Sequence, residues 1–208
     1  MRKGIISIFL FFTFFCSPGM CETVADWLDK ASALSDGKKY SDPIKAIDYL
    51  NNAVKIQPEN AEIYYNRGVA YDNLGQYQPA IKDYNQAIHL KPDYAEAYYN
   101  MGTIYSEIGQ YQLAIEDFNQ AIRLKPNDAE AYHNRGFAYD RLNQSLHAIE
   151  NYNQAIHLKP DYATAYNNRG IDYFSQGSNI LGCADAKRAC ALGNCKLLEM
   201  ANGKGVCH

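Results

Sequence analysis

A 34-residue period constrains this chain more than any other feature. Written in rows of 34, residues 61–94, 95–128 and 129–162 fall into register, and the first two rows agree at 21 of 34 positions. Self-similarity at this period marks an array in which each repeat is one supersecondary unit that buries its apolar face only by stacking on its neighbours. Within a row, small and apolar residues recur at helical spacing, first around Tyr64, Gly68 and Tyr71, then through Ala80, Ile81, Tyr84, Ala87, Ile88 and Leu90. That spacing predicts two amphipathic helices per row.

The residues between the helices fit the same division. Gly75 and Gly109 follow the first helix of their rows, where a left-handed C-cap is needed, and Asn143 takes the place in the third row. Pro79 suits the first turn of a second helix, while Pro92, Pro126 and Pro160 lack a backbone donor and end each second helix. Asp93 with Glu96, and Asn127 with Glu130, have the spacing of capping boxes that would open the next row.

These offsets resemble the tetratricopeptide repeat, whose pattern runs aromatic, Gly, Tyr, Ala, aromatic, Ala, Pro. In the second row the matching residues are Tyr98, Gly102, Tyr105, Ala114, Phe118, Ala121 and Pro126. The resemblance implies an all-α fold, a right-handed superhelical solenoid of stacked helix-turn-helix hairpins with a concave groove lined by first helices. Gly102, Ala114 and Ala121 are small where helices would approach closely, and Tyr105 and Phe118 would fill the space beside them.

The register continues past the three clean rows. Downstream it returns at Tyr166, Gly170 and Tyr173, then at Asp185, Ala189 and Leu192. Upstream, Ala46, Leu50, Ala53, Ile56 and Pro58 match a second helix, with Trp27 to Leu34 as partner if the turn around Gly37 holds about three extra residues. The expected division is 1–21 signal peptide, 22–60 degenerate N-terminal repeat, repeats at 61–94, 95–128 and 129–162, and 163–208 degenerate C-terminal repeat with a cysteine-rich cap. Atypical end repeats are expected because their outer faces meet water.

Family members commonly present the second, fifth, sixth, ninth and twelfth positions of each repeat to a bound peptide or helix. Carried onto this chain, those positions give a candidate groove of Tyr65, Asn66, Val69, Asp72, Tyr99, Asn100, Thr103, His133, Asn134, Phe137, Asp140 and Asn168. The asparagine ladder within it has two readings, amides that pair with a bound peptide backbone or amides that tie one hairpin to the next. One subtype of the family clamps a carboxylate with basic residues at the second and fifth positions. Here those positions hold Glu62, Glu96, Glu130 and Thr164, and Tyr65, Tyr99, His133 and Asn167, so that clamp is not reproduced. With Asp72 and Asp140 on the same face, the expected partner is neutral or basic.

Both ends depart from the repeat. Arg2 and Lys3 precede an apolar run from Ile5 to Phe15, the pattern of a secretory signal and too short for a spanning helix, which needs roughly 20 residues. Cys21 follows Pro18, Gly19 and Met20, a poor fit to a lipoprotein signal; membrane attachment is expected only through a lipid there or an uncleaved signal. At the other end, Cys183, Cys190, Cys195 and Cys207 crowd one segment. In an exported protein four cysteines imply two disulfides in one of three connectivities, a bridge such as Cys195 to Cys207 being one choice. Cys183 or Cys190 reaching Cys195 or Cys207 across the break at Gly193 is another.

The remaining chemistry is sparse. With 20 basic and 23 acidic residues the chain has no basic stripe for a phosphate backbone, so nucleic acid is not an expected partner. It carries no phosphate-cradling glycine motif, serine elbow or metal-spaced histidine pair, and no cofactor or catalysis is expected. The tail cysteines lack the two-residue spacing of zinc or thioredoxin-like sites. The expectation is an exported, periplasmic or extracellular interaction scaffold that holds a protein or peptide in its groove. The alternatives are a cysteine-based redox or metal protein and a structural envelope component.

Overall fold

The structure, a computed structural model, describes residues 22–37 and 39–207; the signal-like segment 1–21, with Cys21, lies outside them. The described residues form five antiparallel helix pairs and one closing helix. The pairs are α1 (Val24–Ser32) with α2 (Pro43–Ile56), α3 (Ala61–Asn73) with α4 (Tyr77–Leu90), and α5 (Ala95–Glu107) with α6 (Tyr111–Leu124). They continue through α7 (Ala129–Arg141) with α8 (Ser145–Leu158) and α9 (Ala163–Ser175) with α10 (Asn179–Ala191), ending in α11 (Lys196–Gly203). Each second helix packs on the following first helix, and from α3 onward successive first helices touch one another, which makes their side the inner, concave face of a solenoid.

The turns follow the sequence closely. Gly75, Gly109 and Asn143 all have positive φ, at 68°, 78° and 59°, so each closes its first helix in the left-handed region. The capping boxes, however, do not form. The N-caps of α5 and α7 are Tyr94 and Asp128, one residue beyond the Asp93 and Asn127 that those boxes require. Asp128 accepts from the backbone N–H groups of Glu130 and Ala131, whereas Tyr94 makes no side-chain cap bond. Tyr94 instead stacks on Tyr65 with ring centroids 4.7 Å apart, and Tyr162, at the same repeat place, packs against His133 at 4.9 Å. Ring burial takes the place of a polar cap at alternate repeats. A true capping box occurs at Thr23 and Asp26, opening α1.

The hairpins close around a glycine and an aromatic ring. A Cβ built on Gly102 would lie 2.9 Å from Phe118 Cε1 and 3.2 Å from the Ala114 carbonyl, and Gly68 and Gly136 face Tyr84 and Tyr152 in the same way. Replacing Gly102 with leucine is therefore expected to cost about 1–3 kcal/mol by overpacking. Thermal unfolding checks this, and an unchanged midpoint would show that Phe118 yields freely.

In the fifth hairpin the aromatic is missing, because Ala186 stands where Tyr84, Phe118 and Tyr152 stand earlier. The gap is filled from outside the hairpin: a Cβ on Gly170 would meet Leu197 Cδ2 of α11 at 2.8 Å. Leu197 is 2% exposed, and α11 packs on α10 and touches α9 as each first helix does on its preceding hairpin. Disulfides fasten this cap, Cys183 to Cys207 over 24 residues and Cys190 to Cys195 over five. Cys195 is thus not bonded to Cys207. Once Leu197 seats α11 against Gly170, the chain end returns to α10 and presents Cys207 to Cys183.

A polar ladder runs through the same interfaces. Arg67 donates through Nε and Nη2 to Asp83, both at 2.7 Å, and through Nη1 to Asn51 at 2.8 Å. Arg169 repeats this with Asp185 and Asn153, and Arg135 bonds Asn151 and Asn119. The second repeat breaks the series, because Met101 occupies the arginine's place. Asp117 is left with a buried Oδ2 that has no hydrogen-bond partner, and burial, helped by the nearby Glu116, pushes its carboxyl up to about 7.

Candidate functional site in the concave groove

The first helices place the twelve candidate groove residues on one face, but the structure gives them different tasks. The asparagines are largely engaged within the stack. Asn100 donates to the Tyr65 hydroxyl at 3.3 Å, Asn134 to the Tyr99 hydroxyl at 3.0 Å, and Asn168 Nδ2 meets His133 Nε2 at 3.1 Å. Each amide reaches back 35 residues, so the ladder ties neighbouring hairpins together. Asn66 is the exception. Allowing for the extra residues of the α1–α2 turn, the place it would reach is Leu28, which offers no acceptor.

His133 is 9% exposed, bonded to Asn134 Oδ1 through Nδ1 and to Asn168 through Nε2, with its rings packed on Tyr152 and Tyr162. Burial lowers its pKa, and accepting from Asn168 at Nε2 places the proton on Nδ1. It is a stacking residue with little surface to offer a partner. Thr103 turns its hydroxyl back to the Tyr99 carbonyl at 3.0 Å.

The acidic groove positions are also less free than the sequence implies. Asp72 is half-buried, and burial, with Glu107 beside it, pushes its carboxyl up to about 6. Asp140 lies against Asp172, a 2%-exposed carboxyl pushed up to about 7 by burial first and then by its hydrogen bond with Asp140. Glu96 is paired with Lys125. Of these groove-side carboxylates, Glu62 and Glu130 are exposed and form no ion pair among the described residues.

At the N-terminal end of the groove these elements enclose a cavity of about 350 Å³. Its walls are Tyr65, Asn66 and Val69 of α3, Tyr99 and Asn100 of α5, Glu130 of α7, and Ser35, Gly37 and Tyr40 from the α1–α2 turn. The turn is held in place by an isolated antiparallel bridge between Ser35 and Tyr40 and by the Tyr40 N–H donating to Asn73 Oδ1 at 2.8 Å. Sequence spacing located this insertion but not its effect, which is to close one end of the groove. Farther along, Phe137 and Ile171 are exposed at 38% and 44%, giving the C-terminal half a more apolar floor.

Two models of the tetratricopeptide repeat match residues 61–94 and 83–116, and a model described as a TPR repeat matches residues 45–75, 102–143 and 147–177. No curated protein matches the sequence. Among solved structures, MamA is 28% identical, with 83% of this chain and 95% of that chain covered and a TM-score of 0.73. MamA residues 41 to the end from Desulfovibrio magneticus RS-1 are 25% identical, covering 85% and 98%, with a TM-score of 0.76. YrrB, described as a TPR protein with an unusual peptide-binding site, is 20% identical over 87% of this chain and 92% of that one, with a TM-score of 0.73.

Proposed function

Because the chain belongs to the tetratricopeptide repeat family, we propose that it is an interaction scaffold whose concave groove holds an extended peptide or helix of a partner protein. The observation that carries the reading is the cavity between Tyr65, Asn66, Val69, Tyr99 and Asn100, where five of the groove positions enclose one volume. Such a site is concave, partly apolar and furnished with a few polar groups, as a recognition pocket is. YrrB, which shares the fold, is described as having a peptide-binding site.

The scaffold works in an oxidising compartment outside the cytosol. This part of the reading is supported by the two disulfides of the C-terminal cap and by the signal-like residues 2–15. In that cap Cys183 is bonded to Cys207 and Cys190 to Cys195. No helix among the described residues is long and apolar enough to cross a membrane.

Binding of a labelled decapeptide pool, followed by fluorescence anisotropy, tests the groove. Val69→Arg and Phe137→Arg each place a long cation across it and are expected to weaken binding at least about tenfold, the effect of roughly 1.4 kcal/mol. Glu116→Lys on the exposed side of α6 should leave binding unchanged. Equal binding by all three variants would sink the groove reading and point to the convex face.

A further inference from the structure

We infer that the closed N-terminal end of the groove is a cage for one basic side chain, lysine or arginine, of the bound peptide. The inference rests on the groove reading and specifies what that groove selects. Three tyrosines from separate elements, Tyr40 of the α1–α2 turn, Tyr65 of α3 and Tyr99 of α5, line a single cavity of about 350 Å³, large enough for a long side chain. A cation beside such rings is attracted by their quadrupoles, the more so where water is thinned out.

The charge balance points the same way. Glu130 lines the cavity, forms no ion pair among the described residues, and accepts from the Tyr99 hydroxyl at 3.5 Å. Its charge joins burial in pushing that hydroxyl up to about 12. Among the described residues, Lys125 is paired with Glu96, and Lys159, which shares a neighbouring pocket with Glu130, sits over the Tyr162 ring at 4.9 Å. Asp128, the other acid acting on Tyr99, is occupied as the N-cap of α7. The cavity thus offers three aromatic walls, a carboxylate that forms no ion pair among the described residues, and the Asn66 amide, which has no hydrogen-bond partner among those residues and can accept from an ammonium or guanidinium. An acidic side chain entering here would be repelled by Glu130.

Two decapeptide pools test the cage, both random over neutral residues, one with lysine fixed at the centre and the other with glutamine. Wild-type protein is expected to bind the lysine pool about tenfold more tightly, with the preference shrinking as salt rises. Glu130→Gln, at an exposed position, should shrink the preference by weakening the lysine pool, whereas Glu116→Lys, outside the cavity, should leave both affinities unchanged. Far-ultraviolet circular dichroism of the Glu130→Gln variant confirms that the hairpins persist. Equal binding of the two pools by wild type and variant would overturn the cage and leave the groove reading standing. If the wild type binds neither pool, both readings fall.

Discussion

Cys183→Ser combined with Cys207→Ser is expected to release α11 from the stack at a cost of about 3–4 kcal/mol, the loop-closure value for a bridge spanning 24 residues. The effect should be local. Leu197 is the α11 side chain that meets Gly170, and an eight-residue helix has little propensity to persist without tertiary support. Amide hydrogen exchange should therefore show protection lost across residues 196–203 and kept through α3 to α8. The loss should spread into α9 and α10, because Ala186 leaves a void beside Gly170 once Leu197 departs. Breaking Cys190–Cys195, which closes only five residues, should cost about 2 kcal/mol. An unchanged exchange profile in the first variant would mean that packing alone seats the cap.

Met101→Arg should stabilise the protein. The second repeat already contains both partners that the new side chain needs, since Asp117 and Asn85 stand where Asp83 and Asn51 receive Arg67 one repeat earlier. Asp117 now holds its proton more tightly in the folded chain than in the unfolded one, its carboxyl being pushed up from 3.8 to about 7. The sign follows from linkage: this group favours the folded state below about pH 4, and that contribution is lost as pH rises through about 7. A guanidinium at position 101 would pair with the ionised carboxylate and recover the loss where it is greatest. After discounting for Asp117's partial exposure, the gain is about 2 kcal/mol at pH 8 and much less at pH 5. Thermal unfolding at the two pH values decides this, a gain of roughly 5 °C at pH 8 being expected for a chain of this size. A variant less stable at both would show that Met101's apolar packing outweighs the ion pair.

The hairpins were legible because their signal is redundant. Gly102, Phe118 and Ala121 each reappear at their offsets, and a glycine or asparagine is required wherever φ turns positive, so Gly75, Gly109 and Asn143 mark turns without ambiguity. The caps of α5 and α7 differ from the sequence pattern because Asp93 and Asn127 have the right chemistry one residue too early; the residue that follows sets what replaces the box, a carboxylate cap at Asp128 and a ring stacked on Tyr65 at Tyr94. The groove was harder to read. Periodicity says which residues share a face, but not that Asn100 and Asn134 spend their amides on the preceding hairpin or that His133 is covered by Tyr162. Those outcomes depend on distances between repeats. The cavity depends on something the period cannot encode at all, the insertion between α1 and α2 that brings Tyr40 beside Tyr65 and Tyr99. Leu197 escaped notice for the same reason, since α11 belongs to no complete repeat.

Arrays of this kind carry an inherent hazard of uncontrolled assembly. The last hairpin of an open stack displays the surface that receives a first helix, and the first hairpin of another molecule offers a helix of the same type, a heterologous contact that propagates without closing. In this chain the receiving ledge on α9 and α10 is already occupied by α11, and the Cys183–Cys207 bridge prevents its displacement. One terminus is thereby made inert toward copies of itself while the groove stays open to a different molecule. The cap acts as a chain terminator for a polymer that the repeat would otherwise permit.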